Sequence, residues 1–162
     1  MVGVVRDPKS ASADSLRALP AAEGSKVIVV KVEATSTTDA FDAVKELKAQ
    51  GITKLDVVIA SAAIAGQQGA MHTIKPENIA EPYLINAVGP AILFLAVKPL
   101  LDEAKTPKWL SVSTAGASLT DLEKYLAFVG YPYMASKTAM NFFTKSMHAE
   151  YPHIIAFVVS PG

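Results

Sequence analysis

The sequence predicts an α/β domain, a parallel sheet covered by helices, and three observations carry that reading. Short apolar runs alternate with longer amphipathic segments along the whole chain, the pattern of strands joined by crossover helices. The apolar runs are rich in Val, Ile and Leu and lack period-2 alternation, as strands buried on both faces do. The 162 residues are 51% hydrophobic and 19% charged, with a mean hydropathy of +0.30. That supports one core and excludes a disordered chain.

The elements follow in order. Val2 to Val5 reads as a strand, and Ser15 to Leu19 as a short helix stopped by Pro20. A second strand spans Lys26 to Val32. Thr38 to Gln50 is a helix with Ala40, Phe41, Val44 and Leu47 on one face and Gly51 as its stop. Leu55 to Ala60 is the third strand. Pro76 suits a first helical turn, and that helical segment runs to about Ala104, with Pro82 and Pro90 as kinks or breaks. Trp109 to Ser113 is the fourth strand, Tyr131 to Tyr151 the last helix, and Ile154 to Val159 the fifth strand. Without repeats or a long linker, residues 1–162 form a single domain.

Composition narrows the function. Fifteen basic residues balance fifteen acidic ones with no long run of either sign, which gives no footprint for nucleic acid or an anionic membrane. There is no cysteine, and His72, His148 and His153 lack metal-ligand spacing, so no metal site is expected and the histidines read as surface residues. The N-terminus does not read as a signal peptide. The uncharged stretch from Pro82 to Val97 has sixteen residues, short for a span that needs about twenty. A cytoplasmic protein without a membrane partner is expected.

Tyr133 and Lys137 stand four apart at the start of the last helix, so both face one bound molecule. That spacing alone arises by chance in a lysine-rich chain. Ser113-Thr-Ala-Gly116 closes the preceding strand, Asn86 lies in a helix upstream, and Tyr133 follows Ser113 by twenty residues. Ser111 shares a strand face with Ser113, but the Ser-x-x-Gly pattern selects Ser113. Tyr131 lacks a lysine at its fourth position and reads as a loop or pocket residue.

Tyr133-Met-Ala-Ser-Lys137-Thr-Ala, Asn86-Ala-Val-Gly-Pro90 and Val159-Ser-Pro-Gly162 together resemble the short-chain dehydrogenase/reductase family. Val5-Arg-Asp-Pro8, Ala22 to Lys31, Leu55 to Ala60 and Ala62-Ala63 are similar to fungal polyketide ketoreductases of the norsolorinic acid ketoreductase type. The resemblance implies a Rossmann-like, doubly wound parallel sheet. It also implies reduction of a ketone, possible in reverse as alcohol oxidation, by hydride from a nicotinamide cofactor. Ser113, Tyr133, Lys137 and Asn86 match the catalytic positions. Tyr133 donates the proton, Ser113 holds the substrate oxygen, and Asn86 holds a water linking Lys137 to solvent. A free tyrosine titrates near 10, and a unit charge at about 4 Å is worth on the order of 4 kcal/mol at an effective dielectric near 20. The Lys137 ammonium can therefore make a phenol a workable acid.

For the cofactor, Arg6 follows the first strand where the family reads the adenosine ribose, and a guanidinium suits a 2'-phosphate, so NADP(H) is favoured over NAD(H). The bland alternative pairs Arg6 with Asp7. Glu33 stands where the family has an aspartate near the adenine. Ser61 and Ala62 fall in the Ala60-Ser-Ala-Ala63 segment, which departs from the family's Asn-Asn-Ala-Gly, and Pro161 belongs to the terminal motif. With Asn86, Tyr133 and Lys137, these are the expected cofactor contacts.

None of the nine glycines forms a Gly-rich turn between a first strand and a helix, the usual phosphate cradle. Against the family, the sheet is incomplete, with its first and last strands absent. The first would sit between the strands at Val2 to Val5 and Leu55 to Ala60, and its loss leaves two edges unpaired or forces them together. Two functional classes follow: an NADPH-dependent ketoreductase of which this is an incomplete part, or a non-catalytic remnant acting as an interaction or regulatory domain. A homo-oligomer through the helices at 76–104 and 131–151 is expected with either.

Overall fold

A computed structural model describes residues 1–125 and 130–161. Its parallel strands are β1 (Val2–Val5), β2 (Ile28–Lys31), β3 (Val57–Ala60), β4 (Lys108–Val112) and β5 (Ile155–Val159). They fall into two sheets, β1 with β2 and β3-β4-β5 in that order. The facing edges of β1 and β3 are unpaired. Between them lies an apolar cleft of about 340 Å³ lined by Gly3, Val4, Leu16, Ile59, Ala60 and Leu93. Of the two outcomes the sequence left open, the edges stay apart; ladder bonds need strands within about 5 Å.

Helix α2 (Asp39–Ala49) holds the two sheets together. Ala43 and Leu47 pack on Ile28 and Val30 of β2, while Ala40 and Val44 join the larger core around Trp109. Residues 40, 43, 44 and 47 form the i, i+3, i+4, i+7 stripe of a half-buried helix. Phe41, expected on that stripe, sits beside it and is 41% exposed.

Helix α1 spans Ala11–Arg17, earlier than the predicted Ser15 to Leu19. The start is set by Ser10, whose Oγ accepts from the Ala13 N–H at 3.3 Å, a cap worth about 1 kcal/mol.

The long helical segment resolves into α3 (Glu77–Tyr83), a π-helical turn at Leu84–Val88, and α4 (Gly89–Leu101). The irregularity falls between the prolines. Pro90 has no N–H to continue the i→i−4 ladder, and the Gly89 N–H reaches back to the Leu84 carbonyl. Gly89 also permits a close approach, since a Cβ there would stand 2.8 Å from the Ala34 carbonyl oxygen. By length and composition Glu77–Leu101 could cross a membrane; here its Phe94, Val97 and Leu100 are buried in the core.

Helix α5 (Leu122–Tyr125) and the 3₁₀ turns at Met71–Thr73 and Ala115–Ala117 are too short to leave a periodic signal. Helix α6 runs Tyr131–Glu150, with Tyr151 as its cap. Trp109, Leu100, Leu101 and Ile154 centre the core, and Phe94 meets Trp109 edge-on at 5.4 Å. The opposite pleat of the three-stranded sheet is bare: Ile59 and Phe157, aligned across Leu110, are 57% and 42% exposed.

Candidate active site

The carboxyl ends of the parallel strands gather the candidate residues, as sheets of this kind do. Helix α6 lays a polar stripe along β4. Lys137 Nζ donates to the Val112 carbonyl at 2.7 Å, Thr144 Oγ1 and Ser111 Oγ share a bond of 2.8 Å, and Ser113 Oγ donates to Asn141 Oδ1 at 2.7 Å. The four-residue spacing of 133, 137 and 141 keeps them on one helix face.

Lys137 is 1% exposed, and burial pushes its pKa below the ordinary lysine value. Its Nζ lies 5.8 Å from the centre of the Tyr133 ring. Tyr133 is half-buried, and its hydroxyl has no hydrogen-bond partner among the described residues. It opens on a cavity of about 430 Å³ shared with Ala65, Gln68, Gly116, Met134 and Ser160. Gly116 admits Met134 here, since a Cβ would stand 2.7 Å from the methionine sulfur.

The two serines differ in what surrounds them. Ser111 is fully buried and also accepts from Trp109 Nε1 at 2.8 Å, a structural role. Among the described residues Ser113 has only Asn141 on its hydroxyl, a partner that sequence spacing does not reveal.

Asn86, buried in the π turn, clamps the segment after β3. Its Nδ2 donates to the Ile64 carbonyl at 2.8 Å and its Oδ1 accepts from the Ile64 N–H at 2.9 Å. Nδ2 also reaches Ser136 Oγ at 2.9 Å, which in turn donates to the Tyr133 carbonyl at 2.7 Å. The Asn86 side chain thus ties the loop to α6. Among the described residues no hydrogen bond joins Ser113, Tyr133 and Asn86 to one another.

Arg6 follows β1, exposed and without an ion pair among the described residues; Asp7 instead accepts from the Lys9 N–H at 2.8 Å. Glu33 is half-buried after β2, its N–H held by Asp39 Oδ2 at 3.0 Å. Asp39 was not singled out by sequence. Lys31 at 2.9 Å, the Glu33 N–H and Ser36 lower its pKa to about 2. Ser61 and Ala62 follow β3, exposed, and line the β1–β3 cleft. Pro161 is exposed beyond β5, next to Ser160, whose Oγ accepts from the Ala115 N–H at 3.1 Å. Tyr131 is half-buried at the start of α6, and the three histidines are exposed, His153 beside Asp102 at 2.9 Å.

The short chain dehydrogenase family model matches residues 2–162. The chain belongs to that family. Among curated relatives, it is 38% identical over 145 residues to the short-chain dehydrogenase srdF of Neurospora crassa, covering 89% of this chain and 57% of that one. It is 36% identical over 155 residues to the norsolorinic acid ketoreductase stcE of Emericella nidulans, covering 95% and 59%. This short-chain dehydrogenase chain therefore spans under two thirds of these relatives' length. The fold is that of the NADPH-bound carbonyl reductase from chicken fatty liver, with a TM-score of 0.87 at 23% identity over 99% of this chain and 64% of that one. A carbonyl reductase of Pseudomonas aeruginosa matches with a TM-score of 0.78 at 25% identity, over 99% and 71%.

The residues present fit a nicotinamide dinucleotide at its two ends. Arg6 is an exposed cation with no ion pair among the described residues, a donor able to meet a phosphate, and the Tyr133 hydroxyl, without a hydrogen-bond partner among the described residues, is open to a substrate oxygen. Among the described residues no glycine-rich turn opens a helix where the pyrophosphate would pass.

Proposed function

We propose that this chain carries the catalytic residues of an NADPH-dependent ketoreductase whose substrate is a ketone, with an aromatic polyketide as the candidate class. The observation that carries the reading is the Tyr133 hydroxyl, without a hydrogen-bond partner among the described residues, at a cavity and backed by the buried Lys137 ammonium. A bound NADPH would supply the hydride for the carbonyl carbon. Tyr133 gives its proton to the carbonyl oxygen, Ser113 hydrogen-bonds that oxygen, and Lys137 stabilises the phenolate until solvent returns the proton. Arg6 pairs with the 2'-phosphate, Glu33 lies by the adenine, and Ser61, Ala62 and Pro161 contact the cofactor. The substrate class rests on the likeness to the norsolorinic acid ketoreductase of Emericella nidulans.

A cytoplasmic enzyme of small molecules fits this reading, and self-association through α3–α4 and α6 fits the exposure of Leu84, Leu95 and Phe142. The unpaired edges of β1 and β3 favour a second reading, a non-catalytic interaction domain. The two are separated by following NADPH oxidation with a panel of aromatic ketones and the full-length protein. Ketone-dependent oxidation at a rate above 1 per minute supports the first, and its absence with every ketone supports the second.

A further inference from the structure

We infer that Asn141 is a positioning residue that sets the hydrogen-bond polarity of Ser113, resting on the ketoreductase reading above. Asn141 stands one turn beyond Lys137 on α6, and its amide is the one hydrogen-bond partner of the Ser113 hydroxyl among the described residues, at 2.7 Å. Ser113 is 6% exposed, so its hydroxyl has little water to fall back on. The other end of the amide makes no hydrogen bond among the described residues. Nothing in the fold therefore prevents a half-turn that exchanges oxygen for nitrogen at the same heavy-atom positions.

That freedom matches what the reaction asks of Ser113. A serine hydroxyl has one proton to donate. With Asn141 Oδ1 facing it, the hydroxyl proton is taken up by α6 and Ser113 has only lone pairs left for a second partner. A ketone oxygen only accepts, so Ser113 must turn its proton outward. Asn141 Nδ2 then donates to the Ser113 oxygen and keeps the buried hydroxyl satisfied. Ser111 has no such latitude, because Trp109 Nε1 can only donate to it.

The test is a double-mutant cycle in the full-length protein, reading ketone turnover, KM and NADPH affinity for wild type, Asn141→Ala, Ser113→Ala and the pair. Asn141→Ala is expected to lower kcat about tenfold with NADPH affinity unchanged, and to change kcat less than about twofold when Ser113 is already alanine. Asn141→Asp keeps the shape but only accepts, so it is expected to lose at least as much as alanine. Equal losses from Asn141→Ala in both backgrounds, or wild-type turnover in Asn141→Asp, overturn the inference while leaving the ketoreductase reading intact. A wild-type protein inactive on every ketone overturns both.

Discussion

Lys137 buries its ammonium against the carbonyl oxygen of Val112 at 2.7 Å while standing 5.8 Å from the centre of the Tyr133 ring. Burial disfavours the charged form and lowers the lysine's pKa in the folded state. The penalty is full below the lowered folded value and fades as pH rises from there toward the unfolded value of 10.5. Lys137→Met, similar in length and uncharged, is therefore expected to keep or raise the melting temperature at pH 7 while cutting ketone turnover at least about 100-fold. Its stability advantage shrinks toward pH 10. Thermal melts and turnover of both proteins check this; a melting temperature several degrees lower contradicts it.

Arg6 is expected to set cofactor preference, because a guanidinium pairs bidentately with a 2'-phosphate and gains little from a ribose hydroxyl. Arg6→Ala should narrow the ratio of NADPH to NADH efficiency by roughly 10- to 100-fold. Kinetics with both cofactors check it, and an unchanged ratio places the determinant elsewhere.

Asp39 gives the fold an acid limit. Its carboxyl is held at about 2 in the folded chain against the ordinary 3.8, through Lys31, the Glu33 N–H and Ser36. The lowered folded value means that its stabilisation is complete above 3.8 and is lost as pH falls toward 2. Asp39→Asn should lower stability at pH 6 and converge on wild type near pH 2. Urea melts across that range check it; a constant difference contradicts the assignment.

Periodicity and motif spacing made the sheet strands, α2, α6 and the Ser113, Tyr133 and Lys137 positions legible in the sequence. What they could not carry was contact across the fold. Asn141 gives no sequence signal because its partner Ser113 is 28 residues away, and Asn86 pairs with Ile64, whose role is played by its backbone alone. Phe41 was misplaced because an apolar side chain next to a stripe looks like part of it. The start of α1 was missed because Ser10 is one of several serines able to cap.

Leu95 and Phe142 are 60% and 70% exposed on α4 and α6, too large and apolar to be left to water on adjoining helices. The 162-residue chain is expected to self-associate at tens of micromolar, and Leu95→Glu with Phe142→Glu to return it to a monomer. Size-exclusion chromatography with light scattering decides; a wild-type monomer at every concentration contradicts the expectation.

The central claim is that Tyr133 gives the proton. The most direct measurement is Tyr133→Phe in the full-length protein, comparing NADPH affinity by calorimetry with ketone turnover. Removing one phenolic oxygen takes away the transferable proton and leaves the contacts of the ring. Affinity within about twofold of wild type, with turnover reduced at least about 1,000-fold, is the expected result. Turnover within tenfold of wild type would contradict the account.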